Sequence, residues 1–269
     1  KITWTADGQL LAVSTVKGAI HVYLTKLPVL GDSYFTRLAY LTSLREVTIV
    51  DSVNQERPVL VDLSIEPTFL ALGPYHMGVG MNNRVWFYVF NQTVEPQKDK
   101  EYLGTVKKMC LNADYAAVMF DNRIQLHLIE SDGMDGSDGR ETRLFPDKKT
   151  DGNITCFGLT ADFLIYATDA GSLFYFFVED WKFVNEFRHV VGIRKLFVDQ
   201  NGTKLVFLDD KSDGFIYCPA NDTTFEIPNF SPNINGVVWE SHPFDKDVFC
   251  AFDEANIYTY IFYRETVQG

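Results

Sequence analysis

The stretch FLIYATDAGSLFYFF (Phe163–Phe177) decides how the chain is read. Two apolar runs flank the short polar turn Asp169-Ala170-Gly171, which is the pattern of a β-hairpin whose strands are buried on one or both faces. LLAVSTVKGAIHVYL (Leu10–Leu24) has the same length and also places a glycine at its ninth position, Gly18 against Gly171. The unit recurs from Arg37, His76, Tyr115, Lys204 and Val248, so seven copies start at positions 10, 37, 76, 115, 163, 204 and 248. Gly18, Asn82-Asn83, Asp121-Asn122, Gly171 and Asp213-Gly214 supply residues that tolerate the positive φ of tight hairpins. Ile20-Val22-Leu24, Ile124-Leu126-Leu128 and Ile257-Thr259-Ile261 show the two-residue period of strands.

Each hairpin has flanking strands. ITWTADG, KLFVDQNG and GVVWES precede three of them across turns such as Asp7-Gly8 and Asn201-Gly202. PVLVDLS, EYLGTV, TRLFP, FVNEFRHV and TFEIP follow others. The segment from Thr25 to Thr36 must hold both an outer and an inner strand, assigned to LPVL and DSYF. Four antiparallel strands per repeat of about 40–45 residues match the period of a propeller blade. Radial stacking buries the apolar faces of such sheets and leaves short edges. The expected fold is therefore all-β, a seven-bladed WD40-like β-propeller with four-stranded antiparallel blades. It occupies 1–269 as one domain and is a fragment of a longer multidomain protein. The last blade shows three strands and then RETVQG. Its outer strand is missing, lies in that tail, or comes from sequence before Lys1.

Composition narrows the function. The 24 Lys and Arg against 36 Asp and Glu leave a net charge of −12, with no basic cluster larger than Lys107-Lys108 or Lys148-Lys149. Duplex nucleic acid and flat anionic membranes need a basic surface, so neither is an expected partner. No run is long and apolar enough for direct membrane insertion as a helix. Cys110, Cys156, Cys218 and Cys250 are far apart in sequence and each sits in an apolar run, which reads as buried free thiols. Four N-x-S/T sequons, at Asn91, Asn153, Asn201 and Asn221, pull towards a secreted protein, although Asn, Ser and Thr are also ordinary turn residues.

No catalytic or cofactor constellation assembles. Gly31-Asp32-Ser33 resembles an esterase nucleophile block but lacks its α/β context, and is read as a turn entering a strand. Gly78-x-Gly80 sits mid-strand, where glycine marks a bulge or close packing and not a dinucleotide loop. Asp132, Asp135 and Asp138 in SDGMDGSDGRE are spaced by three, unlike a calcium loop, and read as a solvated loop. His21, His76, His127, His189 and His242 are scattered, with His21 and His127 at matching strand places, so no metal site is assigned. Trp181, in an outer-strand region, is the one candidate protein-interaction residue; packing against an adjacent blade is the competing reading.

Specific strings carry a resemblance. GMNNRVWFYV (Gly80–Val89), EYLGTV (Glu101–Val106), QLHLIES (Gln125–Ser131), RETRLFP (Arg140–Pro146), FVEDWKFVNEFRH (Phe177–His189) and KSDGFIYCPANDTTFEIPNFSP (Lys211–Pro232) together resemble the large WD-repeat and helical-repeat subunits of intraflagellar transport complex A. The generic WD signature is poor, with Val238-Trp239-Glu240 only a distant echo. In that family two propellers precede an array of helical repeats, and this chain resembles the second propeller. The resemblance implies a non-enzymatic scaffold in the cilium or flagellum, at its base and in the cytoplasm. Its work would be retrograde transport and the import of membrane proteins into the cilium. It implies the other complex subunits as partners, a tubby-like adaptor and membrane-protein cargo indirectly, and no cofactor. The competing reading is an extracellular or lumenal propeller that binds a glycan or other ligand, or a hydrolase.

Overall fold

The computed structural model describes residues 1–54, 57–90, 94–130, 142–147, 152–242 and 247–263. Among them every regular element is a strand, and no helix is long and apolar enough to cross a membrane. The chain divides into two compact units, Lys1–Val106 and Lys107–Gly269.

The first unit holds three antiparallel sheets in chain order. The first is β1 (Ile2–Trp4), β2 (Leu10–Ser14) and β3 (Ile20–Leu24). The second is β4 (Gly31–Tyr34), β5 (Arg37–Ser43), β6 (Glu46–Asp51) and β7 (Val59–Asp62). The third is β8 (Phe69–Leu72), β9 (His76–Met81), β10 (Arg84–Phe90) and β11 (Val94–Glu101). Ala39, Val47 and Val61 of the second sheet pack with Leu70, Met77 and Val79 of the third. Asp32 fixes the pair further: its carboxylate accepts the Leu72 amide at 2.8 Å, joining the first strands of neighbouring sheets. Gly31-Asp32-Ser33 therefore opens β4, and Asp32 has a structural partner.

The second unit continues with β12 (Val106–Leu111), β13 (Tyr115–Phe120), β14 (Arg123–Leu128) and β15 (Thr142–Phe145). Next come β16 (Ile154–Leu159), β17 (Phe163–Thr168), β18 (Ser172–Phe177) and β19 (Lys182–Arg188). Then follow β20 (Ile193–Val198), β21 (Leu205–Asp209), β22 (Gly214–Cys218) and β23 (Thr223–Glu226). The last sheet is β24 (Gly236–Trp239), β25 (Val248–Phe252) and β26 (Ile257–Ile261). All seven expected hairpins form, and each sheet is built in chain order, as expected for blades.

The opening stretch shows why its pattern is apolar without alternation. Leu164, Tyr166 and Phe176 face the preceding sheet, with Phe145, Ile124 and Leu126. Ile165, Ala167, Leu173 and Tyr175 face the following one, with Ile193, Leu205 and Phe207. Both faces of β17 and β18 are covered, so both sets of alternating positions must be apolar. First strands are again laced to the first strand of the next sheet or to the segment leading into it. Lys108 Nζ donates to the Phe157 carbonyl at 2.8 Å, Thr155 Oγ1 to Ile193 O at 2.5 Å, and Lys195 Nζ to Ile234 O at 2.9 Å.

Several expectations need correcting. EYLGTV is not the outer strand of the third sheet; β11, the charged VEPQKDKE, is. An outer strand has one watered face and tolerates charge, whereas the apolar residues of EYLGTV plug a connection in which Tyr102 is buried. LPVL forms no strand, so the first sheet has three strands and not four. The last sheet likewise has three among the described residues, and the RETVQG tail lies outside them. In the first sheet Ile20, Val22 and Leu24 alternate as expected but stay exposed, Ile20 at 71%, like the rest of β3. At the sixth hairpin the positive φ belongs to Ser212 (71°), not to Asp213-Gly214. A Cβ on Gly214 would lie 2.2 Å from Phe230 Cδ1, so this glycine serves close packing. Gly80 serves the same purpose, as expected mid-strand, with a Cβ there 2.2 Å from Phe69 Cζ.

Candidate protein-interaction site

The densest aromatic cluster with polar company lies where β15 meets β19. Strand pairing explains its assembly. Tyr166 of β17 is opposite Phe174 of β18, and Phe174 is opposite Glu186 of β19, giving one row across three strands. A bulge between Tyr175 and Phe176 then shifts β19 by a residue, so that Phe183 pairs with Phe176. Tyr166 and Phe174 stack with centroids 5.0 Å apart, and Phe183 meets both edge-on, at 6.4 and 6.0 Å.

Arg143 of β15 reaches into this ring set. Its guanidinium carbon lies 5.3 Å from the Phe145 centroid, 4.7 Å from Phe176 and 5.6 Å from Phe183. Nη1 donates to the Trp181 carbonyl at 3.0 Å, and Nη2 to Oδ2 of Asp147. The planar fork thus satisfies a carbonyl and a carboxylate while its faces lie against rings, which an ammonium cannot reproduce.

Beside the guanidinium a cavity of about 350 Å³ opens, lined by Asp147, Tyr166, Phe174, Phe183, Val184 and Glu186. Phe183 and Val184 are partly in solvent, at 36% and 46% exposure. The Tyr166 hydroxyl is pushed well above its ordinary value, first by burial and then by the Asp147 carboxylate, with Arg143 opposing and Glu186 adding a smaller push. Both carboxylates therefore act on the same wall of the cavity. Rings, carboxylates and a guanidinium give this arrangement the chemistry of recognition.

The residue singled out by sequence, Trp181, sits in the turn between β18 and β19 with φ of 57°. Its half-buried ring packs on Phe176 of its own sheet and on Tyr115 of the preceding one, with centroids 5.5 and 5.7 Å away. Arg143, Phe183 and Glu186 escaped sequence reading, because only the bulge and the neighbouring sheet bring them together.

The remaining candidates disperse. His21 is exposed whereas His127 is 1% exposed with Nδ1 2.7 Å from the Leu128 carbonyl, so the two do not share a repeated position. The four cysteines form no disulfide and are half-buried, not fully buried, in four different sheets. Burial pushes the Cys156 thiol up to about 11. Asp132, Asp135, Asp138 and the Asn91 sequon lie outside the described residues. Among the described residues no group of three or more His, Cys, Asp and Glu side chains could hold a metal ion. Asn153 is engaged by its neighbour: its amide donates to Asp169 Oδ1 at 2.7 Å and its side-chain nitrogen to Oδ2 at 3.2 Å.

Comparison with known proteins places this architecture. The chain is similar to WD repeat-containing protein 19 of Mus musculus, 58% identical over all 269 residues, and to that of Homo sapiens at 57%. It is 33% identical to WD repeat-containing protein dyf-2 of Caenorhabditis elegans over 98% of its length. In each case it spans about a fifth of the relative: 20%, 20% and 21%. Among solved structures it is similar to Hsv2 of Kluyvelomyces marxianus, with a TM-score of 0.61 and 15% identity, covering 96% of this chain and 90% of that one, a likeness of fold alone. Residues 38–269 match the family described as WDR19 second beta-propeller. With that match, and with seven sheets built in chain order, the chain belongs to the WDR19 second β-propeller family of WD-repeat proteins.

Proposed function

We propose that this chain is a non-enzymatic interaction module of an intraflagellar transport complex A subunit. In this reading it acts at the cilium or flagellum, at its base and in the cytoplasm. It contributes to retrograde transport and to the import of membrane-protein cargo. The other complex subunits are its direct partners, and a tubby-like adaptor and the cargo are reached through them.

The observation that carries the proposal is the similarity of all 269 residues to about a fifth of WD repeat-containing protein 19, together with the six strings that resemble complex A subunits. The family and the relatives carry no catalytic description. The geometry supports recognition: a β framework carries an aromatic and acidic cavity at an outer strand, where a partner can reach it.

Co-purification tests the proposal. The tagged chain is mixed with recombinant complex A subunits and recovered by affinity. Retention of at least one subunit, weakening as salt rises, is expected of an acidic module. Retention of none overturns the assignment. Intact mass of the chain from its native source separates it from the glycan-binding or hydrolase reading, because a secreted propeller would carry glycan at Asn201 or Asn221.

A further inference from the structure

We propose that the cavity between β15 and β19 receives an arginine side chain from a basic segment of a partner protein. This rests on the interaction-module reading above and names the chemistry of one contact within it.

Charge gives the first reason. Two carboxylates, Asp147 and Glu186, line the cavity, and one guanidinium, Arg143, is beside it. Asp147 is already bound by Arg143. Glu186 makes no ion pair among the described residues, so among them the site holds two carboxylates to one guanidinium. An anion would meet Glu186 and the partial negative charge of ring faces, and an apolar side chain would press a carboxylate against hydrocarbon.

Shape gives the second. Tyr166 and Phe174 stack on each other and Phe183 meets both edge-on, so the lining presents flat ring surfaces that suit a planar cation better than a compact one. The protein itself supplies the precedent. Arg143 lies over Phe145, Phe176 and Phe183, so Phe183 already contributes to holding one guanidinium and lines the space for a second. Access gives the third, since Phe183, Val184 and Glu186 are exposed on an outer strand. The chain's overall charge of −12 also favours the approach of a basic segment.

Fluorescence anisotropy of a labelled Gly-Arg-Gly-Arg-Gly peptide on the full chain tests the proposal, with the same peptide carrying citrulline, the uncharged isostere, as the comparison. The arginine peptide is expected to bind about tenfold more tightly than the citrulline peptide. Glu186→Gln and Phe183→Leu are each expected to weaken the arginine peptide by about three- to tenfold. Glu226→Gln, an equal loss of charge on β23, is expected to leave its affinity unchanged. Thermal melts establish that each variant is folded, and Glu186→Gln keeps the test open should Phe183→Leu fail. Equal binding of the two peptides, or wild-type affinity in both cavity variants, overturns the proposal. A uniform loss with Glu226→Gln overturns it too, by showing a general charge effect. Subunit retention is scored separately. Retention without arginine selectivity sinks the cavity and leaves the module, whereas selectivity without retention leaves the cavity and sinks the complex A assignment.

Discussion

Arg143 Nη1 donates to the carbonyl of Trp181 at 3.0 Å, tying the outer strand of one sheet to the last turn of the next. The turn residue holds φ of 57°, a conformation that L-residues adopt at a cost and keep only when their surroundings fix it. Arg143 is one of those surroundings. Arg143→Ala is expected to destabilise the chain by about 2–3 kcal/mol, since it strands a carbonyl and removes the cation from three rings. Arg143→Lys should recover only part of that, because an ammonium lacks the fork. Urea unfolding followed by tryptophan fluorescence measures both.

Gly80 tolerates no side chain. A Cβ there would lie 2.2 Å from Phe69 Cζ and 2.5 Å from the backbone oxygen of Arg84. Gly80→Ala is expected to cost about 1–3 kcal/mol. Adding Phe69→Leu should relieve only part of it, because the Arg84 oxygen belongs to the chain itself and cannot swing aside. Denaturation midpoints of the single and double variants check this.

The two-residue turn Asp121-Asn122 joins β13 to β14 with φ of 47° and 58°. Both values demand residues that accept the left-handed region. Asp121→Val is expected to lose about 1–2 kcal/mol, and Asp121→Gly to be close to neutral. Thermal melting of the two variants distinguishes backbone conformation from side-chain chemistry.

Asp51 sets an acid limit on its loop. Its carboxylate accepts the backbone amides of Asn54 and Val53 at 3.1 and 3.0 Å. These bonds hold its pKa down from 3.8 to about 2. A depressed folded value means that the contribution is complete above the unfolded pKa and is lost as pH falls from about 4 through about 2. Carbon-detected titration should find this carboxyl ionised at pH 3, and Asp51→Asn should reduce the loss of stability over that interval.

Cys156 is expected to be the slowest thiol to alkylate at pH 8. Burial pushes its thiol up to about 11, so little thiolate is present there. Timed iodoacetamide labelling followed by peptide mapping orders the four sites; rapid modification of Cys156 would contradict its environment.

The hairpins were legible because their two signals are local: turn residues and the apolar runs on either side. Leu10, His76, Phe163 and Val248 each begin both an expected hairpin and an observed strand. Outer strands were harder. VEPQKDKE carries no apolar run to mark it as a strand, since five of its eight residues are exposed and pairing with β10 alone makes it one. The site was less legible still. Glu186 meets Phe174 and Tyr166 only through pairing across three strands, and Phe183 meets Phe176 only because a bulge displaces it. Arg143 arrives from another sheet, a relation that no local pattern encodes.

The bonds from Lys108 to Phe157, Thr155 to Ile193 and Lys195 to Ile234 each make the backbone of one sheet, or of the segment leading into it, a tenant of its neighbour. The backbone at Phe157 and Ile193 is thereby answerable to damage 49 and 38 residues away along the chain. Inherited lesions in any one of those side chains would consequently weaken a neighbour whose own sequence is untouched.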